Sequence, residues 1–188
     1  MRPTGNCSTA TWAFDAGAYT FFMGNLPTPQ ALIARWSELC RDASLRDLPY
    51  KIEINAWGKI EMMPLTNRRG LLMGHLACEL RELRGGVALM SCGVLTRKGV
   101  SVADCAWASQ KLMAIYKDAM LFERAPEICV EVCTPDGEVK VSAYLAAGAK
   151  EVWLVGESGS IRYFDASGER AGSSFPLVIT LPPLMEIQ

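Results

Sequence analysis

The stretch Ala125-Pro126-Glu127-Ile128-Cys129-Val130-Glu131-Val132-Cys133-Thr134-Pro135-Asp136-Gly137, continuing through Gly148 to Glu151-Val152-Trp153-Leu154-Val155, decides the fold. Residues 127 to 133 alternate β-branched and other side chains after a proline and form the most strand-like segment of the chain. Thr134-Pro135-Asp136-Gly137 has turn chemistry: Pro presets φ, Asp bonds to nearby backbone and Gly is free to rotate. The spacing then predicts a helix from about Glu138 to Ala147, closed by Gly148, and a further strand from Glu151 to Val155. Strands with a helix between them call for a sheet covered by helices.

Upstream, Val87 to Leu95 and Val100 to Trp107 read as two strands split by the polar turn Thr96-Arg97-Lys98-Gly99. Before them a helix is expected over Asn67 to Leu83, with Leu71, Leu72, His75, Leu76 and Leu80 at helical spacing, which puts His75 on its apolar stripe. Tyr50 to Asn55 and Lys59 to Met63 form a hairpin around Ala56 to Gly58, and Thr28-Pro29 opens a first helix that runs to about Ala43. Ser109 to Met120 fits a short helix or a loop. Downstream, Ile161 to Phe164 follows a turn at Ser158-Gly159, and a terminal strand is expected near Leu177 to Leu181. Residues 1–27 read as an irregular N-terminal extension and 28–188 as a single domain. This order gives an α/β (α+β) fold, a mixed β-sheet flanked by helices, rather than a sandwich or a regular βα alternation.

Composition narrows the function. The 188 residues are 50% hydrophobic and 21% charged, ordinary for a globular chain and too apolar for a disordered one. Lys plus Arg is 19 against 20 for Asp plus Glu, so no global basic field exists and a polyanion would have to be held locally. Between Arg68 and Lys98 the basic residues Arg68, Arg69, Arg81, Arg84, Arg97 and Lys98 outnumber Glu79 and Glu82, which is either a local anion-binding region or a solvated face. The single histidine, His75, removes most zinc sites and nearly every hydrolase built on Ser-His or Cys-His pairs. Seven cysteines without a close CxxC pair point to small core thiols in a reducing, cytoplasmic compartment. No run long enough to span a membrane is present, and the first residues make a poor signal peptide.

Three apolar strand candidates each carry one lone carboxylate: Glu53 in Ile52-Glu53-Ile54, Asp104 in Val102-Ala103-Asp104-Cys105-Ala106-Trp107, and Glu131 in Val130-Glu131-Val132. In the last, Ile128, Val130 and Val132 share one face and Cys129, Glu131 and Cys133 the other. A buried carboxylate costs several kcal/mol unless it is paired, protonated or bound to a cation. Acids with no matching basic residue beside them suit a hard divalent cation such as Mg²⁺ (or Mn²⁺). Lys140, one turn into the following helix, could supply the positive charge next to it. Each acid also has a plain alternative as a paired structural or solvated carboxylate.

From Tyr50 onward the chain resembles the Uma-two family of restriction-endonuclease-like proteins, within the PD-(D/E)XK nuclease superfamily. Four signatures match in order: a glutamate followed by a glycine turn and a run ending in Met63-Pro64, the Val102 to Trp107 strand, the Pro126 to Pro135 segment, and the series Lys140, Tyr144, Gly148, Glu151, Trp153. The resemblance implies a restriction-endonuclease-like core in which Glu53, Asp104 and Glu131 surround Mg²⁺ and Lys140 assists a water. It implies a metal-dependent endonuclease acting on DNA, and with it a nuclease-fold alternative, catalytically inactive, that binds nucleic acid or a protein partner. The sequence departs from the family at three points: Ala103 precedes Asp104 where a proline is usual, the loop before Lys140 is short, and the Arg68-Arg69 region replaces a histidine. Exposed strand edges and the aromatic N-terminal extension point to a homodimer. A thiol enzyme using one cysteine with His75 is the third reading.

Overall fold

The computed structural model describes residues 26–183, so most of the expected N-terminal extension lies outside the described residues. Thr28 caps the first helix, α1 (Pro29–Arg41), by accepting the Ala31 N–H at 3.2 Å, with Pro29 opening it. The hairpin follows as β1 (Tyr50–Asn55) and β2 (Ile60–Pro64), then α2 (Asn67–Arg81), β3 (Gly86–Thr96) and β4 (Gly99–Ser109). The ambiguous segment resolves into a helix, α3 (Gln110–Tyr116), because Ser109 caps it through the Leu112 N–H. The remaining elements are β5 (Ile128–Val132), α4 (Gly137–Ala146), β6 (Glu151–Val155), β7 (Ile161–Asp165) and β8 (Gly168–Arg170).

The strands form one mixed eight-stranded sheet in the order β2-β1-β4-β5-β6-β7-β8, with β3 also on β4. Among the named strands of the described residues, β5 and β6 alone pair in parallel, as strands joined by the helix α4. On one face α2 buries Leu72, Leu76 and Leu80 against Cys105, Trp107, Ile128, Val130, Val132 and Trp153. Each fully buried leucine contributes roughly 1.5–3 kcal/mol. On the other face α3 and α4 cover Ala106, Ala108, Cys129 and Val152 with Leu112, Val141 and Tyr144. Helix α1 closes a third cluster over Ile54 and Val100.

Three expectations are corrected here, and one element is added. His75 is exposed: the buried arc of α2 runs through Arg69, Leu72, Met73, Leu76 and Leu80, and His75 lies more than a quarter-turn away from its centre. Cys133 does not continue the alternation of β5, because it adopts φ 51° and packs with the α2-side cluster, apart from Cys129. No strand forms at 177–181; Leu177, Ile179 and Leu181 instead cross the α2-side core as an irregular segment. That segment is anchored by buried Glu151, which accepts from Ser173, from Ser174 and from the Trp153 indole. The short strand β8 has no counterpart in the sequence reading, its three residues being exposed and without an apolar period.

The edge of β4 decides where side chains can converge. β1 pairs with β4 only at Ile54 and Asn55, opposite Val100 and Gly99, while β5 pairs with it only from Ile128 to Val130, opposite Trp107 to Cys105. Between these contacts β1 and β5 diverge and leave a fork along β4. The β3–β4 register also lapses there: Ser91, opposite Asp104, adopts φ 52°. Ala103 packs on the α3/α4 side and Cys105 on the α2 side, so the alternation of β4 slips at Asp104.

Candidate functional site

The fork holds every candidate residue. Glu53 comes from β1, Asp104 from β4 and Glu131 from β5, with Lys140 reaching down from α4. Because β1 has left β4 at this point, the Val102 N–H has no strand partner and donates to Glu53 Oε1 at 2.7 Å. In the same way the Val132 N–H, at the end of β5, donates to Asp104 Oδ2 at 2.7 Å. The acids therefore complete the backbone bonds that the fork leaves open, and this fixes their positions. The short loop before Lys140 does not carry the lysine away: its Nζ lies 2.7 Å from Glu53 Oε1 and 3.3 Å from Glu131 Oε2.

Glu131 is the acid with the most partners in the network. Its carboxylate is buried and accepts from Tyr144 Oη at 2.8 Å, Thr134 Oγ1 at 2.8 Å and Lys51 Nζ at 2.9 Å. Tyr144 and Lys140 stand one turn apart on α4, so a single helix face supplies both. Burial alone would push the Glu131 carboxyl up; the Lys51 and Lys140 ammoniums and the bonds from Lys51 and Tyr144 outweigh it and hold the group below the usual glutamate value. Burial, then the Glu131 charge, pushes the Tyr144 phenol well up, so it stays a donor.

The basic residues change the sequence reading most. The acids were expected to lack cationic partners, yet Lys51 Nζ lies 2.9 Å from Glu131, 3.0 Å from Asp104 and 3.5 Å from Glu53. Burial opposes the charge of Lys51, but the Glu131, Asp104 and Glu53 carboxylates together raise its pKa above the ordinary lysine value, and it remains an ammonium. Arg69, at the start of α2, donates through Nη2 to Asp104 Oδ1, and its buried Nε has no partner among the described residues. Such a donor costs about 1–3 kcal/mol. Glu53, Asp104 and Glu131 thus face Lys51, Arg69 and Lys140, and the formal charges balance. One signal for Lys51 was present in sequence: it stands two residues before Glu53, on the same face of the same strand. For Arg69 the signal was the departure from the family histidine.

Above the network a cleft of about 690 Å³ opens, with Lys51, Glu53 and Lys140 in its wall. The tips of two hairpins form its rim: Trp57 in the β1–β2 turn, 67% exposed, and Arg97 and Lys98 in the β3–β4 turn. They sit together because Asn55 pairs with Gly99. The rest of the expected positive region is divided, since Arg69 is buried and Arg68 donates to the Glu157 and Pro182 carbonyls. The thiol reading gains nothing: burial pushes the Cys92 and Cys105 thiols up to about 12 and pushes Cys129 well above the ordinary thiol value, the opposite of an activated nucleophile.

The acids also suit a divalent cation. Three carboxylates from three strands form a hard-oxygen donor set, and the Lys51 ammonium marks a point within 3.5 Å of an oxygen of each. As the side chains stand, no group of three or more His, Cys, Asp and Glu among the described residues is placed to hold a metal ion. The three carboxylates fit a divalent ion in donor chemistry, and an ion bound by all three would have to take the ammonium's position. No helix of the described residues is long and apolar enough to cross a membrane.

Comparison with known proteins bears on the family and the fold. A model of the family Uma2, described as "Putative restriction endonuclease", matches residues 38–176, which include all six members of the ion network. Among solved structures, a nuclease described as "putative" and belonging to DUF820, from Anabaena variabilis ATCC 29413, aligns with a TM-score of 0.50 at 15% identity over 57% of this chain and 68% of that one. That likeness concerns the fold. No curated protein matches.

Proposed function

The chain belongs to the Uma2 family of restriction-endonuclease-like proteins, with their nuclease fold, and we propose from that premise that it is a metal-dependent endonuclease hydrolysing phosphodiester bonds of DNA at the fork. The observation that carries this reading is the convergence of Glu53, Asp104 and Glu131 on one point, with Lys140 bridging two of them. These carboxylates would hold Mg²⁺ or Mn²⁺, which when bound supplies Lewis-acid charge to a phosphodiester. The chain's own groups do the positioning. Tyr144 and Thr134 orient the Glu131 carboxylate through its two oxygens, and backbone N–H groups orient Glu53 and Asp104. Lys140, half-buried in the cleft wall, presents an ammonium that donates to a phosphate oxygen or to a water beside it. Backbone phosphates would lie along Arg97 and Lys98 and a base would stack on Trp57, a local site for a chain whose net charge is −1.

The test is digestion of supercoiled plasmid and of single-stranded DNA with Mg²⁺ or Mn²⁺, using wild type, Glu131→Gln and Lys140→Met below their melting temperatures. Cleavage by wild type that falls at least about 100-fold in both variants is expected. Equal cleavage by the variants would remove the assignment of these residues. A second reading, a module that binds nucleic acid without cutting it, draws on the balanced charges of the closed network. It predicts DNA binding without cleavage in wild type.

A further inference from the structure

Lys51 has no role in the reading above, yet it takes the most central position in the cluster. Its ammonium lies within 3.5 Å of an oxygen of each of the three carboxylates, while Lys140 touches two of them and Arg69 one. It is buried, and its stem extends from β1 two residues before Glu53, where that strand has already parted from β4. A divalent ion and this ammonium need the same oxygens: Glu131 Oε2 and Asp104 Oδ1, at 2.9 and 3.0 Å from Nζ. Two cations cannot share that point. Lys51 also lines the cleft, so its side chain has open space into which it can withdraw toward an incoming anion.

We propose that Lys51 is a tethered resident cation that occupies the divalent-metal position of this site and sets its metal affinity by competition. This rests on the metal-dependent reading. In the metal-free protein the ammonium keeps the three acids neutralised and the fork closed. A metal binds only by displacing it, so affinity for the bare protein is low. A phosphate in the cleft gives the displaced ammonium a new partner and raises metal affinity; by linkage, metal raises affinity for the phosphate by the same factor. Lys51 is thus a residue that selects for metal and phosphodiester together. Lys140, held by Glu53 and Glu131, need not move.

The experiment is calorimetric titration of MnCl₂ into wild type, Lys51→Met, Lys51→Gln and Lys51→Arg, with a thermal melt of each with and without Mn²⁺. Met and Gln remove the cation and are expected to bind Mn²⁺ about tenfold tighter or more than wild type, with a larger rise in melting temperature on adding metal. Arg keeps the charge and should show no gain, and adding Glu131→Gln to Lys51→Met should abolish it. A measurement on the wild type alone covers the case in which the neutral variants do not fold. Amine acetylation of Lys51, read by mass spectrometry, should rise several-fold when saturating Mn²⁺ and a phosphorothioate oligodeoxynucleotide are added together. Mn²⁺ affinity that is equal in wild type and the neutral variants, or Lys51 labelling that metal and oligonucleotide leave unchanged, overturns the role of Lys51 and leaves the metal-dependent reading standing. No Mn²⁺ binding by any form, oligonucleotide present or absent, overturns both.

Discussion

Replacing Glu131 with Gln removes one charge from a buried network in which acids and bases balance. The carboxylate has two polar faces: Oε2 receives Lys51 and Thr134 at 2.9 and 2.8 Å, and Oε1 receives Tyr144 at 2.8 Å. A glutamine can keep its oxygen toward Lys51 and turn its NH₂ toward Tyr144, whose hydroxyl can accept, so shape and hydrogen bonding survive. Charge does not. Lys51, Arg69 and Lys140 are left with only Asp104 and Glu53 in a region where exposures are 12% or less. Removing one partner of a buried pair costs about 3–5 kcal/mol, and the retained bonds place this case near 3. For a domain of this size that corresponds to a fall in melting temperature of about 6–12 °C. Urea unfolding followed by far-UV circular dichroism measures it, with Glu169→Gln, an exposed partner of Arg162, as a control expected to show no change. Adding Lys51→Met to Glu131→Gln restores the balance, so the double variant should lose less than the sum of the singles. A Glu131→Gln loss under about 0.5 kcal/mol, or strictly additive variants, would refute the buried charge balance.

Three further outcomes follow from the same geometry. Glu127 and Glu151 have folded pKa values below the ordinary 4.5, burial being outweighed by bonds from Ser109 and from Ser174, Ser173 and Trp153 respectively. Their stabilisation is complete above that value and is lost as pH falls through the lowered values, so unfolding midpoints measured by urea should be flat above about pH 5 and drop below it. Gly99 sits at φ 114°, and an added Cβ would run into the Ile54 carbonyl oxygen, so Gly99→Ala should cost more than about 1 kcal/mol in urea and weaken the β1–β4 junction beside Glu53. Trp57→Ala, at an exposed turn, should leave the melting temperature unchanged and weaken single-stranded oligonucleotide binding by about 1–3 kcal/mol in fluorescence anisotropy.

Much of this was written in local signals. The Thr28-Pro29 start, the hairpin with Trp57-Gly58, and the β5, α4, β6 series are read correctly because periodicity, caps and turn residues agree there. The irregular 177–181 segment reads as a strand in sequence because its apolar alternation is real; what holds it is tertiary, the Glu151 bonds to Ser173 and Ser174. His75 was misplaced because Leu71 extends the apparent stripe while being 42% exposed. For the site, three lone acids in apolar strands were sufficient to find Glu53, Asp104 and Glu131, and the geometry brings them together with Lys140. Their cations were not found, because Lys51 and Arg69 meet the acids only through the fork of β1 and β5 on β4 and through the start of α2, contacts of 53, 80 and 35 residues in separation for Lys51–Asp104, Lys51–Glu131 and Arg69–Asp104.

The measurement that tests the central claim most directly is anomalous diffraction from crystals of the protein grown with MnCl₂ and a phosphorothioate oligodeoxynucleotide. A single manganese peak among the carboxylates of Glu53, Asp104 and Glu131, with the Lys51 side chain turned away from them, is the predicted result. Lys51 still seated on all three acids with no peak beside it, or a peak bound elsewhere on the chain, would contradict the account.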